Sequence, residues 1–250
     1  MSGHSKWSQI KRQKGANDAK RGATFTKISR EISIAAREGG GDPDANYRLR
    51  LAMEKARSVN MPADNIKRAI ERAAGGGAAE QYEEIIYEGY GPGGVAILVE
   101  AATDNRNRTV ADVRSIFTKA GGQLAGSGSV AWQFEPRGVV IAARDGRDGD
   151  EIALAAIDAG AQDVDVEGDP LEIVTDPGSL EVVRKALEQT GVTVESAEVS
   201  MQPKTPIEVE TSVVRQNMRL IETLEELDDV QRVTANFDLP EEILAEAASA

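Results

Sequence analysis

The chain has 250 residues, 40% of them hydrophobic, no cysteine, and a formal net charge of −13. This size and composition suit one large or two to three small domains, and the lack of cysteine excludes disulfides, thiolate catalysis and Cys-ligated zinc. No apolar run approaches the ~18 residues of a membrane span, and no apolar stretch follows the basic N-terminus as in a signal peptide. A soluble, cytoplasmic protein without membrane contact is expected.

The chain opens on a basic arm. From Lys6 to Arg21 there are six Lys or Arg residues and one acid, Asp18. Lys6, Trp7, Lys11, Arg12 and Lys14 lie close together, and Lys20 and Arg21 follow. Residues 18–74 carry helical periodicity. Phe25, Ile28, Ile32, Ala35 and Ala36 share one face, and Lys20, Lys27, Arg30 and Arg37 project from the other. Gly39–Gly41 stops this helix, and Asp42-Pro43 reads as the N-cap and first residue of the next. Leu49, Ala52, Met53, Ala56 and Val59 form the second stripe. Pro62 opens a third helix, and Gly75–Gly77 is a linker. Residues 1–79 thus read as a basic helical domain.

After the linker the period changes. Glu84–Glu88 and Val95–Ala101 read as strands around Gly89-Tyr90-Gly91-Pro92-Gly93-Gly94. The spacing matches a dinucleotide fingerprint, but Pro92 and a β-branched run follow where that motif needs a helix, so a hairpin turn is expected. A helix carries Val110, Val113, Phe117 and Ala120. At its entry, Arg106 and Arg108 either meet phosphates at a helix N-terminus or are solvent-exposed arginines at a capped start. Then comes a glycine-rich loop, with Gly121, Gly122, Gly126, Ser127 and Gly128. It reads as a flexible functional tip or as a long hairpin loop. A strand over Val130–Phe134 is expected next.

Residues 136–203 give the order βαββαβ, the ferredoxin-like split βαβ. Thr205–Leu239, with one helix and one strand, is too short to bury a core alone. It is expected to dock on residues 80–135. The fold class is therefore α+β: a helical N-terminal domain (1–79), a discontinuous α/β domain (80–135 and 204–240), a ferredoxin-like unit (136–203) inserted in it, and an acidic tail (241–250).

Chemistry is sparse. His4 is the only histidine, so no triad or His-based metal site is expected. Asp163-x-Asp165-x-Glu167-Gly168 starts like a calcium loop, but Val174 stands where the bidentate Glu belongs. No catalytic residue, metal, cofactor or small-molecule substrate is expected. Charge is the informative feature. Residues 1–79 hold 16 Lys+Arg and 8 Asp+Glu, net +8, and residues 80–250 hold 13 and 34, net −21. Such clusters bind phosphate backbones, and a tryptophan among them can stack on bases. Candidate nucleic-acid contacts are Lys6, Trp7, Lys11, Arg12, Lys14, Lys20, Arg21, Lys27, Arg30, Arg106 and Arg108.

GHSKWSQIKRQKGANDAKRG, YEGYGPGGVAILVEAATDNRNRTVADVR and KAGGQLAGSGSVAW resemble the YebC/PmpR family, which includes the mitochondrial translational activator of cytochrome oxidase. The resemblance runs over nearly the whole chain. It implies three domains, a helical one and two α/β ones, and a cytoplasmic, non-enzymatic regulator described as DNA-binding and transcriptional. It also implies a competing role: binding ribosomes, through ribosomal RNA, and easing translation of difficult sequences such as proline runs. Nothing in the residues resembles a helix-turn-helix with base-reading side chains, so the choice between DNA and ribosomal RNA stays open.

Overall fold

The computed structural model describes residues 18–74, 82–240 and 243. Lys6, Trp7, Lys11, Arg12 and Lys14, the Gly75–Gly77 linker and the acidic tail apart from Ile243 lie outside the described residues.

Among the described residues, three helices come first: α1 (Asp18–Gly39), α2 (Tyr47–Ser58) and α3 (Ala63–Ala74). Ile28, Ile32, Leu49, Ala52, Ala56, Ile66 and Ala69 bury one face of each into a shared core. Alanines at Ala35, Ala36, Ala52 and Ala56 let the axes approach closely. The expected cap at Asp42 is corrected. Asn46 caps α2, its Oδ1 accepting from the Leu49 amide at 3.1 Å. Its Nδ2 donates to the carbonyls of Ala35 and Gly40 at 2.7 and 2.8 Å. One side chain therefore satisfies carbonyls at the end of α1 and an amide at the start of α2. A side chain at Gly39 would collide with it, because a Cβ there would lie 2.5 Å from Asn46 Nδ2.

The first sheet has β1 (Glu83–Tyr90) and β2 (Ala96–Thr103) as an antiparallel hairpin, in register from Glu83–Thr103 to Tyr90–Ala96. A 3-10 turn, Pro92–Gly94, joins them, with Gly93 at φ 73°. This is strand-turn-strand, not a dinucleotide-binding βα unit. Helix α4 (Arg106–Lys119) follows, then the two-residue β3 (Gln123–Leu124), which pairs with β1.

The expected strand over Val130–Phe134 is also corrected. Ala131–Gln133 is a 3-10 turn, and β4 runs from Phe134 to Ala142. The cause is Glu88, whose carboxylate accepts the amides of Val130 and Ala131 at 2.7 and 2.8 Å, donors that a strand would offer to a ladder.

β4, α5 (Gly149–Asp158), β5 (Ala161–Asp165), β6 (Leu171–Thr175), α6 (Leu180–Gln189) and β7 (Val194–Pro203) form a second sheet of order β5-β6-β4-β7. β6 lies between β4 and β5, antiparallel to both. This is the ferredoxin-like arrangement. Its core holds Val140, Ile152, Leu171, Ile173, Leu180, Val183 and Leu187.

Helix α7 (Thr211–Glu225) and β8 (Val230–Ala235) end the described fold. β8 pairs antiparallel with β2, giving the first sheet the order β3-β1-β2-β8. Phe117 and Val113 of α4 and Val214, Leu220, Ile221 and Leu224 of α7 pack with Val95, Ile97 and Val99, all essentially buried. Each such aliphatic contributes roughly 1.5–3 kcal/mol. The chain divides into two compact units: Glu135–Gln202, and the chain up to Phe134 together with that from Pro203 onward.

Candidate nucleic-acid interface

The cations singled out in the sequence divide by direction. Lys20 and Arg21 belong to α1, but their side chains lie outside the description. Lys27 donates to the Glu225 carbonyl. Arg30 is turned inward. Its Nη1 donates to Asp229 Oδ1 at 2.7 Å and to the carbonyls of Asp228 and Ala102. Its guanidinium also lies 5.2 Å from the centre of the Tyr82 ring.

Arg108 meets the same carboxylate. Its Nη2 is 2.7 Å from Asp229 Oδ2 and 2.7 Å from Asp104 Oδ1. Thr109 donates its hydroxyl to Asp229 Oδ2 at 2.6 Å. Burial alone would raise the Asp229 carboxyl. Hydrogen bonds from Thr109 and Arg108, with the charge of Arg30, outweigh it and hold the group below the ordinary aspartate value. Arg108 in turn is raised, first by its hydrogen bond with Asp229.

Around this knot lies an open recess of about 360 Å³, lined by Asp104, Asp112, Asp228 and Asp229 as well as Arg30, Arg108 and Tyr82. Four carboxylates against two arginines repel a phosphate. Of the two readings of the α4 entry, Arg108 takes neither in full: it is a tie between α4 and the start of β8. Arg106 stays out in solvent, 70% exposed and 3.9 Å from Glu83.

Other cations, not singled out in the sequence, face outward. Arg57 on α2 and Arg68 and Arg72 on α3 are exposed, and no carboxylate pairs with them among the described residues. Arg68 and Arg72 stand four apart on α3, so they share a face, and Lys67 is beside them, paired loosely with Glu71 at 3.7 Å. On α4, Arg114 and Lys119 are likewise exposed and without a paired carboxylate among the described residues. Helical spacing on α3 holds this signal, at a lower density of cations than in the N-terminal arm.

The glycine-rich loop is anchored at its root. A Cβ at Gly122 would lie 2.6 Å from the Tyr90 carbonyl, so only glycine fits there without a shift. The Glu88 carboxylate, 4% exposed, accepts from the amides of Gly128 at 2.6 Å, Val130 and Ala131. Burial would raise this carboxyl, and the converging amides lower it below the usual glutamate range. The exposed tip is a turn in which Ser129 N donates to Gly126 O at 3.2 Å, with Gly128 at φ 85°. That φ at the third turn position calls for glycine. Of the five loop residues, Gly126, Ser127 and Gly128 form the exposed tip.

Family models for the TACO1/YebC N-terminal domain and for the TACO1/YebC second and third domain match residues 5–76 and 82–237. The chain belongs to the TACO1/YebC family. A relative from Rubrobacter xylanophilus, named a probable transcriptional regulatory protein, is 56% identical over 99% of this chain and 100% of its own length. One of the same name from Thermomicrobium roseum is 54% identical over 97% and 98%. The crystal structure of a conserved hypothetical protein from Aquifex aeolicus matches with a TM-score of 0.85 at 46% identity, over 91% of this chain and 94% of that one. TACO1/YebC relatives are thus named as regulators, not as enzymes. No helix among the described residues is long and apolar enough to cross a membrane.

Proposed function

We propose that the protein is a cytoplasmic, non-enzymatic nucleic-acid-binding regulator, acting in transcription as its relatives' names suggest. The observation that carries this reading is the segregation of charge, +8 on residues 1–79 in a chain of −13. A basic domain on an acidic body attracts a polyanion to one place and discourages nonspecific adhesion elsewhere. Phosphate contact falls to the arm (Lys6, Lys11, Arg12, Lys14, with Trp7 for a base), to Lys20 and Arg21, and to the exposed Arg57, Arg68 and Arg72. Arg30 and Arg108, engaged with Asp229, hold the body together. The tip Gly126–Gly128 is a second contact point.

The second reading is ribosomal RNA as the polymer and a role in translation, for which phosphate contact without base reading suffices. The exposed face of α3 carries Lys67, Arg68, Glu71 and Arg72, while Asn65 is partly buried. Charged side chains of this kind meet phosphates and position a protein without reading bases.

Binding of the full chain to a promoter fragment, to random duplex DNA and to ribosomes at one salt concentration separates the two. Transcriptional regulation requires the promoter fragment to be preferred over random duplex, and that preference to vanish when Lys6, Lys11, Arg12 and Lys14 become Gln. A ribosomal role requires weak, sequence-blind DNA binding and a marked loss on ribosomes. If the four substitutions change neither, the basic arm is only a solvated surface and the reading fails.

A further inference from the structure

Trp132 is 67% exposed, and Tyr90 is 37% exposed. Burying an indole stabilises a fold substantially, so one left in solvent yet held in place needs a reason. Trp132 is held. Its Nε1 donates to the Ser129 carbonyl at 3.1 Å. Its own carbonyl accepts from Lys204 Nζ at 2.8 Å, and the next carbonyl, of Gln133, accepts from the Lys204 amide at 2.9 Å. The Tyr90 hydroxyl donates to the same Ser129 carbonyl at 3.1 Å. Two aromatic side chains are thus anchored on one carbonyl, beside a glycine tip that carries no bulk.

The charge here is unlike that of the rest of the chain. From Val113 to Phe134 there is no Asp or Glu, in a protein with 42 of them. Arg114 and Lys119 fall within that stretch, and Lys204 is exposed beside Trp132 with no carboxylate paired to it among the described residues. The nearby Glu88 carboxylate is buried and surrounded by amides. A fixed, solvent-facing indole in an acid-free stretch of chain, with a lysine ammonium bonded to its backbone carbonyl, is complementary to a base that carries phosphate.

We propose that Trp132, with Tyr90 and Lys204, is a stacking shelf for an unpaired base of a single-stranded nucleic acid. The proposal rests on the reading of the protein as a nucleic-acid binder and adds a contact separate from the basic arm. The rival occupant is a proline-rich peptide, which also favours exposed Trp and Tyr.

Binding is measured on the full chain with Trp7 intact, and Trp7→Phe is introduced only for the fluorescence readout, where it leaves Trp132 as the one tryptophan of the two in the sequence. The probes are short single-stranded oligoadenylate, as RNA and as DNA, a duplex of random sequence, and a proline-rich peptide. The oligoadenylate is expected to quench Trp132 fluorescence. Trp132→Ala is expected to weaken single-strand binding about 5- to 150-fold with an unchanged salt slope, and Trp132→Phe to retain most of it. The melting temperature of either variant should stay near that of the parent. Single-strand binding that is unaltered by Trp132→Ala overturns the shelf, as does quenching by the peptide and not by the oligonucleotide. A parent that binds duplex but no single strand overturns the shelf and leaves the nucleic-acid reading intact. A parent that binds none of them removes both.

Discussion

Arg108 and Arg72 are the same residue type on helices of the same protein, and they do different work. Arg108 closes on Asp229 and Asp104, while Arg72 reaches into solvent with no paired carboxylate among the described residues. The difference lies in what the fold brings near each. Asp229 is 121 residues from Arg108 along the chain, and pairing of β8 with β2 sets it at the start of α4. Among the described residues nothing comparable approaches the outer face of α3. Net charge per segment therefore overstates what is available to a phosphate, because part of it is already neutralised inside the molecule.

Truncation after Gln202 should have the largest effect, because it removes Asp229 and leaves Arg30 and Arg108 without their shared carboxylate. It also removes β8 and the buried Val214, Leu220, Ile221 and Leu224. The truncated chain should lose its cooperative melting transition, whereas replacing residues 136–203 by a short Gly/Ser linker should preserve one. A truncated chain with near-parental stability would refute the reading of 80–135 and 204–240 as one discontinuous domain.

Asp229→Asn comes next. Removing one partner of a fully buried pair costs about 3–5 kcal/mol, and partial exposure of Arg108 reduces this to about 2–4 kcal/mol. Chemical denaturation should show it as a lower midpoint with an unchanged slope. Asp104→Asn, at the exposed side of Arg108, should cost less than about 1 kcal/mol.

The glycine-rich loop repeats the contrast on a small scale. Gly122→Ala presses a methyl group against the Tyr90 carbonyl, and about 1–3 kcal/mol of stability should be lost. At Gly126 nothing lies within 4 Å of an added Cβ, so Gly126→Ala should stay within about 0.5 kcal/mol in the same melt.

Acid should act through the inward carboxylates Asp229 and Glu88. Asp229 and Glu88 both have folded-state values lowered from the ordinary ones. Their contribution is full above the unfolded carboxylate range, about pH 4, and is lost as the pH falls through their lowered values. Melting temperature should change little from these groups between pH 7 and about pH 5, then fall steeply below about pH 4. The fall should be smaller in Asp229→Asn than in the parent.

The sequence made the regular elements legible because their causes are local. The stripe Ile28, Ile32, Ala35 predicts α1, and the βαββαβ order predicts the ferredoxin-like unit. The errors arose where a distant or unexpected side chain intervened. Asp42-Pro43 is a strong local cap signal, yet Asn46 reaches both helix ends and takes the role. Val130–Phe134 has strand composition, but its amides turn to Glu88, a single glutamate with nothing to distinguish it in the sequence. The Arg30–Asp229–Arg108 knot joins three segments far apart in the chain, so no local pattern announces it. Trp132 is visible as a residue, but its exposure and its bond to Ser129 are properties of the fold.

The claim that cations without a carboxylate partner meet phosphate while those paired with Asp229 hold the fold is tested most directly by salt dependence. Affinity for one RNA or duplex is measured across a salt series for the parent, for Arg57, Arg68 and Arg72 changed together to Gln, and for Arg108→Gln. Each phosphate contact contributes about 0.9 to the slope of log K against log salt on duplex DNA, and about 0.7 on single strands. The triple variant should keep its melting temperature and lose roughly 2–3 units of slope. Arg108→Gln should melt lower and keep the parental slope when measured well below its transition. A slope that falls with Arg108→Gln and stays constant in the triple variant would contradict the account.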